Sequence, residues 1–441
     1  MATAPTFREA LRFWAKLGFI SFGGPAGQIA IMHTELVARK KWIGEQRFLH
    51  ALNYCMLLPG PEATQLATYC GWLLHRTRGG IAAGVLYVLP SAVLLCGLSW
   101  VYAAYGQVPA IAAVFHGLKP AVTAIVAAAV IRLGRRALKN GVMWGVAAAA
   151  FGAIFFLQVP FPAIVAAAAA LGFAGGLRWP AAFAWSAPGL PRAVTGEDAA
   201  ASAVIDDAHA SPAHTRPSWP RACKVLGVAL ALWWAPVILA GLWQGWDGTL
   251  AREGFFFSKA AMVTFGGAYA VLPYVGQQAV DHYGWLTAPQ MLDGLGLAET
   301  TPGPLIMVVQ FVGFLGAWHQ PGALGPLLAA TLGALMTTWT TFTPCFLWIF
   351  LGAPHIEQLR GNVRLGSTLT AVTASVVGVV LNLAVWFGLH VFFPAAGRVD
   401  WFAVAVGVAA FGAIMRLKAG VIPVVFASGL LGLAWSLVAG G

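Results

Sequence analysis

Two glycine pairs and two Pro-Gly-Pro triplets have the residue types and spacing that could bind a ligand. The first pair, Gly23–Gly24, is followed by Pro25, and the second pair is Gly266–Gly267. The triplets are Pro59-Gly60-Pro61 and Pro302-Gly303-Pro304, and all four features interrupt apolar segments. Pro suits the first residue of a new half-helix because no N–H is needed there. Each half-helix N-terminus offers free N–H groups and a positive dipole end. We therefore expect the breaks to bind an oxyanion.

Polar side chains close to the breaks would complete such a site. Lys16 and Lys259 each precede a glycine pair by about two helical turns, which places them on the same face as the break. They are expected to supply counter-charge to a dianion, unless Lys16 reaches the membrane surface instead. Glu62 and Glu299 are expected to carry a coupling proton or, for Glu62, to cap a half-helix. The hydroxyl and amide groups expected to bind oxyanion oxygens belong to Thr64, Gln65, Thr300 and Thr301.

The composition dictates where these segments lie. Hydrophobic residues make up 59% of the 441 residues and charged residues 9%, against roughly 25% charged in a soluble domain. A soluble enzyme is thereby excluded, and the long apolar stretches have the length that crosses a bilayer. We predict an all-α, polytopic membrane protein. The net charge of +11 is assigned to basic cytoplasmic loops rather than to nucleic-acid binding.

The chain contains two homologous halves. An offset of 243 residues aligns Phe13 with Phe256, Lys16 with Lys259 and Trp42 with Trp285, and it superimposes the glycine pairs and the Pro-Gly-Pro triplets. We predict a first transporter repeat over 1–185, a disordered cytoplasmic linker over 186–220, and an extra helix plus second repeat over 221–441. The single extra segment would invert the second repeat. Inverted repeats with broken or re-entrant helices are typical of secondary transporters.

The distribution of Lys and Arg favours one topology. Basic loops flank the segment 50–74 at both ends, so a cytoplasmic location for both requires 7–37 and 50–74 to be re-entrant hairpins. If both segments span instead, loop 38–48 lies outside the cell. We favour hairpins, with the N-terminus in the cytoplasm of a multi-pass inner-membrane protein.

Other function classes lack their signatures. The sequence has no Walker A, GxSxG, HExxH or CxxC motif, so neither ATP-driven transport nor hydrolysis is indicated. The five cysteines are scattered and suggest neither a disulfide framework nor a zinc site. We predict no metal, no cofactor and no enzymatic activity. The oligomeric state is left open.

The sequence resembles the chromate transporter family in its long form of two fused halves. The resemblance is carried by five motifs, FGGPAGQIA (22–30), LPGPEATQLATYCGW (58–72), GLKPAV (117–122), TFGGAYAVLPYV (264–275) and AETTPGPLIMVVQFVGFLGAW (298–318). It implies export of chromate across the bacterial inner membrane and chromate resistance. With the cytoplasm negative, the membrane potential favours outward movement of a dianion, and a proton gradient is the other expected driving force. A transporter of sulfate or another oxyanion, and an anion channel, remain alternatives. A chromate reductase is disfavoured because no flavin, haem or metal-ligand constellation is present.

Overall fold

The structure, a computed structural model, describes residues 4–22, 24–183, 204–205, 217–355, 363–394 and 398–439. Within these ranges the chain forms 16 α-helices and no strand, apart from one isolated bridge between Ile43 and Ile205. Seven of the described helices are long and apolar enough to cross a membrane, and three shorter ones are also apolar. The prediction of an all-α, polytopic membrane protein is confirmed.

The first half contains two broken segments followed by long helices. A π-helical turn, Thr34–Arg39, extends its second helix. The helices are α1 (Phe7–Ile20), α2 (Gly24–His33), α3 (Glu45–Leu57), α4 (Glu62–Tyr105), α5 (Pro109–Ala137), α6 (Gly141–Phe155) and α7 (Phe161–Arg178).

The second half repeats this order after one extra helix, α8 (Trp219–Gln244). A π-helical turn, Gln278–His282, follows its second helix, and a 3₁₀ turn, Leu305–Met307, precedes its fourth. The remaining helices are α9 (Thr249–Val263), α10 (Ala268–Gln277), α11 (Ala288–Thr300), α12 (Val308–His319), α13 (Pro326–Gly352), α14 (Val363–Phe392), α15 (Trp401–Met415) and α16 (Val421–Ala439). The bounds of α3 and α11 coincide under the offset of 243 residues.

Helix α4 consists of two antiparallel arms rather than one rod. The backbone leaves the helical region at His75 and Arg76, where Arg76 has φ 56°. Gly71 and Gly79 then pack so closely that a Cβ on either would lie 2.4 or 2.2 Å from the carbonyl oxygen of the other. We call 62–74 the first arm and 77–105 the second arm. The first arm therefore corresponds to α12, and the second arm to α13.

Both broken segments of the first half return to the end of the molecule from which they start. The rings of Phe13 on α1 and Trp42, after the return, lie 5.3 Å apart. At the end of the first arm, His75 Nε2 donates to the carbonyl oxygen of Pro5, 3.0 Å away. These contacts agree with the hairpin interpretation of 7–37 and 50–74.

The hairpins of the second half have the same form. The rings of Phe256 and Trp285 lie 5.8 Å apart, and Thr249 Oγ1 donates to the carbonyl oxygen of Gln320 over 2.8 Å. Helix α8 joins the two sets of hairpin ends, since its first turn carries Arg221, whose guanidinium lies 5.5 Å from the Trp72 ring. Its 26 residues rise about 39 Å at 1.5 Å per residue. The two sets of hairpins thus enter from opposite ends of α8.

The closing helices of each half pack against the other half. On α5 and α16, a Cβ at Gly117 would lie 2.1 Å from the Ser428 carbonyl oxygen, and one at Gly432 2.3 Å from that of Ala113. Helices α7 and α14 cross in the same antiparallel way, through Gly172. Such reciprocal antiparallel packing is what an inverted repeat requires, and the inverted orientation in a membrane stays a prediction.

Most of the predicted linker, 186–220, lies outside the described residues. Among its described residues, 204–205 and 217–220, the first two bind the loop between α2 and α3. The Val204 N–H donates to the Lys41 carbonyl oxygen over 3.1 Å, and the Gly44 N–H donates to the Ile205 carbonyl oxygen over 2.8 Å. This part of the linker therefore lies at the same end of the molecule as the first-half hairpin ends.

Candidate anion site

The structure joins the four breaks in two pairs, each formed between the halves. The Gly60 N–H donates to the carbonyl oxygen of Thr264, and the Gly303 N–H donates to that of Ser21, both over 2.7 Å. The offset of 243 residues relates Gly60 to Gly303 and Ser21 to Thr264, so the two bonds are symmetry equivalents. We call the Gly60–Thr264 pair the first crossing and the Gly303–Ser21 pair the second crossing.

Glycine is required at both crossings by the backbone conformation. Gly60 has φ 118° and Gly303 has φ 107°, a region that residues with a Cβ rarely adopt. Space is also limiting. A Cβ on Gly60 would lie 3.2 Å from Cys345 Sγ, and one on Gly303 would lie 2.6 Å from Ser91 Cβ.

The glycine pairs differ between the halves in what the structure describes. Gly23 lies outside the described residues, whereas Gly24 has φ 71° and begins α2, with Pro25 in its first turn as expected. Gly266 and Gly267 have φ 79° and 95°, and Gly267 caps α10. All three described glycines use the left-handed backbone that lets the chain turn inside the bundle.

The two prolines that end the triplets lie one position before the helices they were expected to start. Pro61 is the N-cap of α4, which begins at Glu62, and Pro304 is the N-cap of the 3₁₀ turn. The first backbone hydrogen bond of α4 runs from the Gln65 N–H to the Pro61 carbonyl oxygen, at 3.1 Å. The N–H groups of the three residues before Gln65 therefore have no intrahelical acceptor.

One buried hydroxyl without a hydrogen-bond partner lies at each crossing. Thr64 is fully buried in the first turn of α4, and its Oγ1 has no partner among the described residues. Ser91, on the second arm, is also buried and unpartnered, and its Oγ lies 3.0 Å from where a Gly303 Cβ would be. Sequence reasoning missed Ser91 because it is distant in sequence from either triplet. Buried polar groups are usually satisfied, so both hydroxyls are available to a ligand.

The other predicted hydrogen-bonding residues are engaged within the protein. The amide of Gln65 donates from Nε2 to the Pro59 carbonyl oxygen over 2.8 Å. Thr300 and Thr301 donate their hydroxyls to carbonyl oxygens at the end of α11, over 2.9 and 3.1 Å. These three side chains stabilise the backbone next to the breaks.

The two predicted lysines are not brought to the crossings. The side chains of Lys16 and Lys259 are exposed on α1 and α9. Lys259 Nζ lies 4.3 Å from the ring centroid of Phe255, one turn earlier. Both lysines therefore occupy the outer face of their helices in this conformation, and their role in anion binding stays a prediction.

The two predicted carboxyl groups have different surroundings. Glu299 is buried and accepts a hydrogen bond from the Tyr269 hydroxyl, which links α11 to α10, and the positive charge of Arg132 acts on it electrostatically. Glu62 is half-buried at the first crossing. By the 243 offset Glu62 corresponds to Leu305, and Glu299 corresponds to Met56. The glutamate thus follows the Pro-Gly-Pro triplet in the first half and precedes it in the second half.

Asp293, Lys119 and Tyr102 form a buried charge cluster that the sequence analysis did not predict. Asp293 on α11 lies 3.5 Å from Lys119 Nζ on α5 and accepts a hydrogen bond from the Tyr102 hydroxyl over 2.8 Å. Lys119 belongs to the GLKPAV motif. The signal available in the sequence was an acidic residue inside an apolar segment, which is expensive unless it is paired.

A cavity of about 290 Å³ lies at the far end of α10 from the crossings. Its polar lining includes Gln158, Gln277, Asp281 and Asn382. No α-helix begins among its lining residues, whereas α4 begins at the first crossing and offers free N–H groups there, so the crossings fit an oxyanion better. No group of His, Cys, Asp and Glu among the described residues is arranged to hold a metal ion.

Comparison with known proteins gives a consistent result. Residues 8–173 and 253–433 match the family described as Chromate transporter. The chain is 33% identical to a chromate transport protein of Pseudomonas aeruginosa, over 83% of this chain and 77% of that protein. It is 29% identical to a chromate transport protein of Cupriavidus metallidurans, over 87% and 83%. It is 24% identical to an uncharacterized transporter of Methanocaldococcus jannaschii, over 88% and 86%. No solved structure matches.

Proposed function

The chain belongs to the chromate transporter family, and on that premise we propose that it exports chromate from the cytoplasm across the bacterial inner membrane. The proposal includes secondary active transport and a resulting resistance to chromate. The observation that carries it is the pair of crossings, because each joins a break of one half to a break of the other. Relative movement of the halves would then act directly on the backbone that contacts the anion.

The first crossing is the proposed binding site. Chromate is a tetrahedral dianion, and α4 begins there with free N–H groups and the positive end of its dipole. The Thr64 hydroxyl is buried, unpartnered and in the first turn of the helix. At the corresponding position of the second half stands Met307, which has no hydroxyl. The unpartnered hydroxyl of the second crossing belongs to Ser91 on the second arm. Only at the first crossing does such a hydroxyl lie on the helix that begins there, which favours one anion site over two.

The orientation of the protein follows from its basic residues. The first-half hairpin ends carry Arg8, Arg12, Lys40 and Lys41, and the linker residues Val204 and Ile205 bind the same loop. By the positive-inside rule this end is cytoplasmic. The loop 318–321, at the second-half hairpin ends, contains no Lys or Arg. The second repeat is then inverted, and its hairpins open to the outside.

The membrane potential favours export, so transport without a coupled proton is possible. With the cytoplasm negative, moving one negative charge outward releases about 2.3 kcal/mol per 100 mV, and a dianion releases about twice that amount. A proton gradient is the alternative driving force, with Glu62 or Glu299 as the coupling carboxyl. The two mechanisms differ in which gradient must be collapsed to stop transport.

Two other functions remain as alternatives. Sulfate has the same charge and tetrahedral geometry as chromate, and nothing at the first crossing distinguishes the two ions. An anion channel would also use half-helix ends, but broken segments in paired repeats favour alternating access. Saturable flux with counterflow separates a transporter from a channel.

The test is chromate uptake into everted membrane vesicles that contain the protein, with sulfate as competitor. Membrane potential and pH gradient are collapsed separately, and the treatment that lowers chromate uptake more identifies the driving force. Thr64→Val is expected to raise KM about tenfold or more, because a hydrogen bond to a charged group contributes about 1.5–3 kcal/mol. Thr68→Val is the matched control, since that hydroxyl already donates to the Thr64 carbonyl oxygen. Absence of uptake by folded wild-type protein would refute the assignment of chromate.

A further inference from the structure

Glu253 on α9 is a buried carboxyl that the proposed anion site does not use. Its side chain has no solvent exposure, and neither carboxyl oxygen has a hydrogen-bond partner among the described residues. It lies one turn after Thr249, the first residue of α9. Glu253 is therefore about 6 Å along the helix from the end where the second-half hairpins open.

Two glycines on neighbouring helices make room for this carboxyl. A Cβ on Gly316 of α12 would lie 2.8 Å from Glu253 Oε1, and one on Gly333 of α13 would lie 2.8 Å from Oε2. Each carboxyl oxygen thus packs against a glycine of a different helix. By the 243 offset the first half has Ala10 and Leu73 in place of Glu253 and Gly316. At these two positions the first half thus has the small residue on its first helix, and the second half has it on α12, which indicates that Gly316 leaves space for the carboxyl.

The elements around Glu253 supply no described cation to balance a negative charge. On α9 itself, Arg252 binds Asp247 over 2.9 Å, and Lys259 faces outward. At the end of α12, His319 donates from Nδ1 to the Trp285 carbonyl oxygen over 2.8 Å.

The remaining titratable groups on the packed elements are few. Helix α8 packs on α9 through Val237, which lies 2.8 Å from where a Gly254 Cβ would be, and its own titratable residues are in its first turns, at the opposite end. The remaining titratable groups are Cys345 on α13; Asp281, His282 and Tyr283 on the segment before Trp285; and Arg221, Cys223 and Lys224 on α8.

An ionised carboxylate in this niche would be very unfavourable. Burying an unpaired charge in a low-dielectric interior costs so much that the group takes up a proton instead, and membrane segments impose the same cost. The carboxyl is therefore neutral in the packing seen here. Ionisation requires water, which reaches Glu253 only when α9 separates from α12 and α13. Proton binding and closure of these three helices are then linked.

We propose that Glu253 is a proton-binding site whose occupancy closes the packing of α9 against α12 and α13. A proton from water on the outer side binds the carboxylate as the helices close, and the carboxylic acid returns it to water when they open. The inference deepens the proposed function, because it makes the transport cycle sensitive to pH at that side. A single linked proton changes the closing equilibrium by at most tenfold per pH unit.

The first experiment measures protonation without any substrate. Infrared difference spectra of the purified protein at neutral pH are compared between wild type, Glu253→Gln and the exposed control Asp247→Asn. A protonated-carboxyl C=O band that is lost in Glu253→Gln and kept in Asp247→Asn is expected. An unchanged band in Glu253→Gln overturns the proposal whatever ion the protein transports.

The second experiment measures flux in proteoliposomes as the pH of the outer side is varied. Wild type is expected to change by up to tenfold per pH unit, and Glu253→Gln, which mimics the protonated form, to lose that dependence while still transporting. The double variant Glu253→Ala/Gly316→Leu places the first half's residues, Ala10 and Leu73, at the corresponding positions and should also lose it. Equal pH dependence in wild type and both variants overturns the linkage. Failure of chromate flux alone, with the infrared band lost as expected, refutes only the substrate.

Discussion

Replacing Gly303 with Ala tests whether the second crossing depends on the backbone that only glycine tolerates. Gly303 has φ 107°, and a Cβ there would lie 2.6 Å from Ser91 Cβ and 3.0 Å from Ser91 Oγ. The strained conformation costs about 1–3 kcal/mol, and the overlap costs about 1–3 kcal/mol more. We therefore expect Gly303→Ala to destabilise the protein by about 2–6 kcal/mol and to break the bond to Ser21.

The two contributions can be separated by a second substitution. Ser91→Gly removes the atoms that the new Cβ would meet, so the double variant should recover about 1–3 kcal/mol and retain the backbone strain. The measurement is denaturant or thermal unfolding in detergent, together with chromate flux. Gly145→Ala in α6 is the control, because a Cβ there meets nothing within 4 Å and helix propensity favours Ala by about 1 kcal/mol. Equal stability and flux for Gly303→Ala and Gly145→Ala would refute the reasoning.

Three further predictions concern charge and orientation. Lys16→Met and Lys259→Met should abolish chromate flux if these lysines approach the anion in another conformation. Flux within twofold of wild type would show that neither lysine binds the anion. Glu62→Gln should remove the dependence of flux on a pH gradient while sparing chromate exchange if Glu62 carries the coupling proton, and an unchanged gradient dependence would exclude that role. In a background without Cys223, the native cysteine that is exposed, Ala38→Cys should be labelled only from the cytoplasmic side and Ala323→Cys only from outside. Labelling of both from one side would contradict the inverted arrangement.

Local features of the sequence were sufficient to locate the breaks. Gly60 and Gly303 lie in triplets whose two prolines cannot continue a helix, so the interruption is encoded within a few residues. The hairpin form followed from the basic residues around 50–74, because their positions depend on topology rather than on packing. The partners of the breaks could not be predicted. The bond from Gly60 to Thr264 joins residues about two hundred positions apart and depends on how whole helices pack.

The direction in which a side chain points could be predicted less well than the positions of the breaks. The spacing of Lys16 and Gly23 predicts a shared face of α1, but it does not tell whether that face points inward. Lys119 shows the opposite case. Nothing in its spacing indicated a partner, yet it lies 3.5 Å from the buried Asp293. A helical period identifies faces, and only the contacts between helices decide which face is buried.

The reciprocal packing of the closing helices has a consequence for biosynthesis. When α7 leaves the ribosome, its partner α14 has not been made, and 185 residues separate Arg178 from Val363 (363 − 178). At about 5–20 residues per second, translation of that interval takes about 10–40 s. During this time the glycine face of α7 that will receive α14, at Gly172 and Gly176, has only lipid or the insertion machinery as a neighbour. The first half must therefore remain in the membrane without this packing contact until α14 has been made.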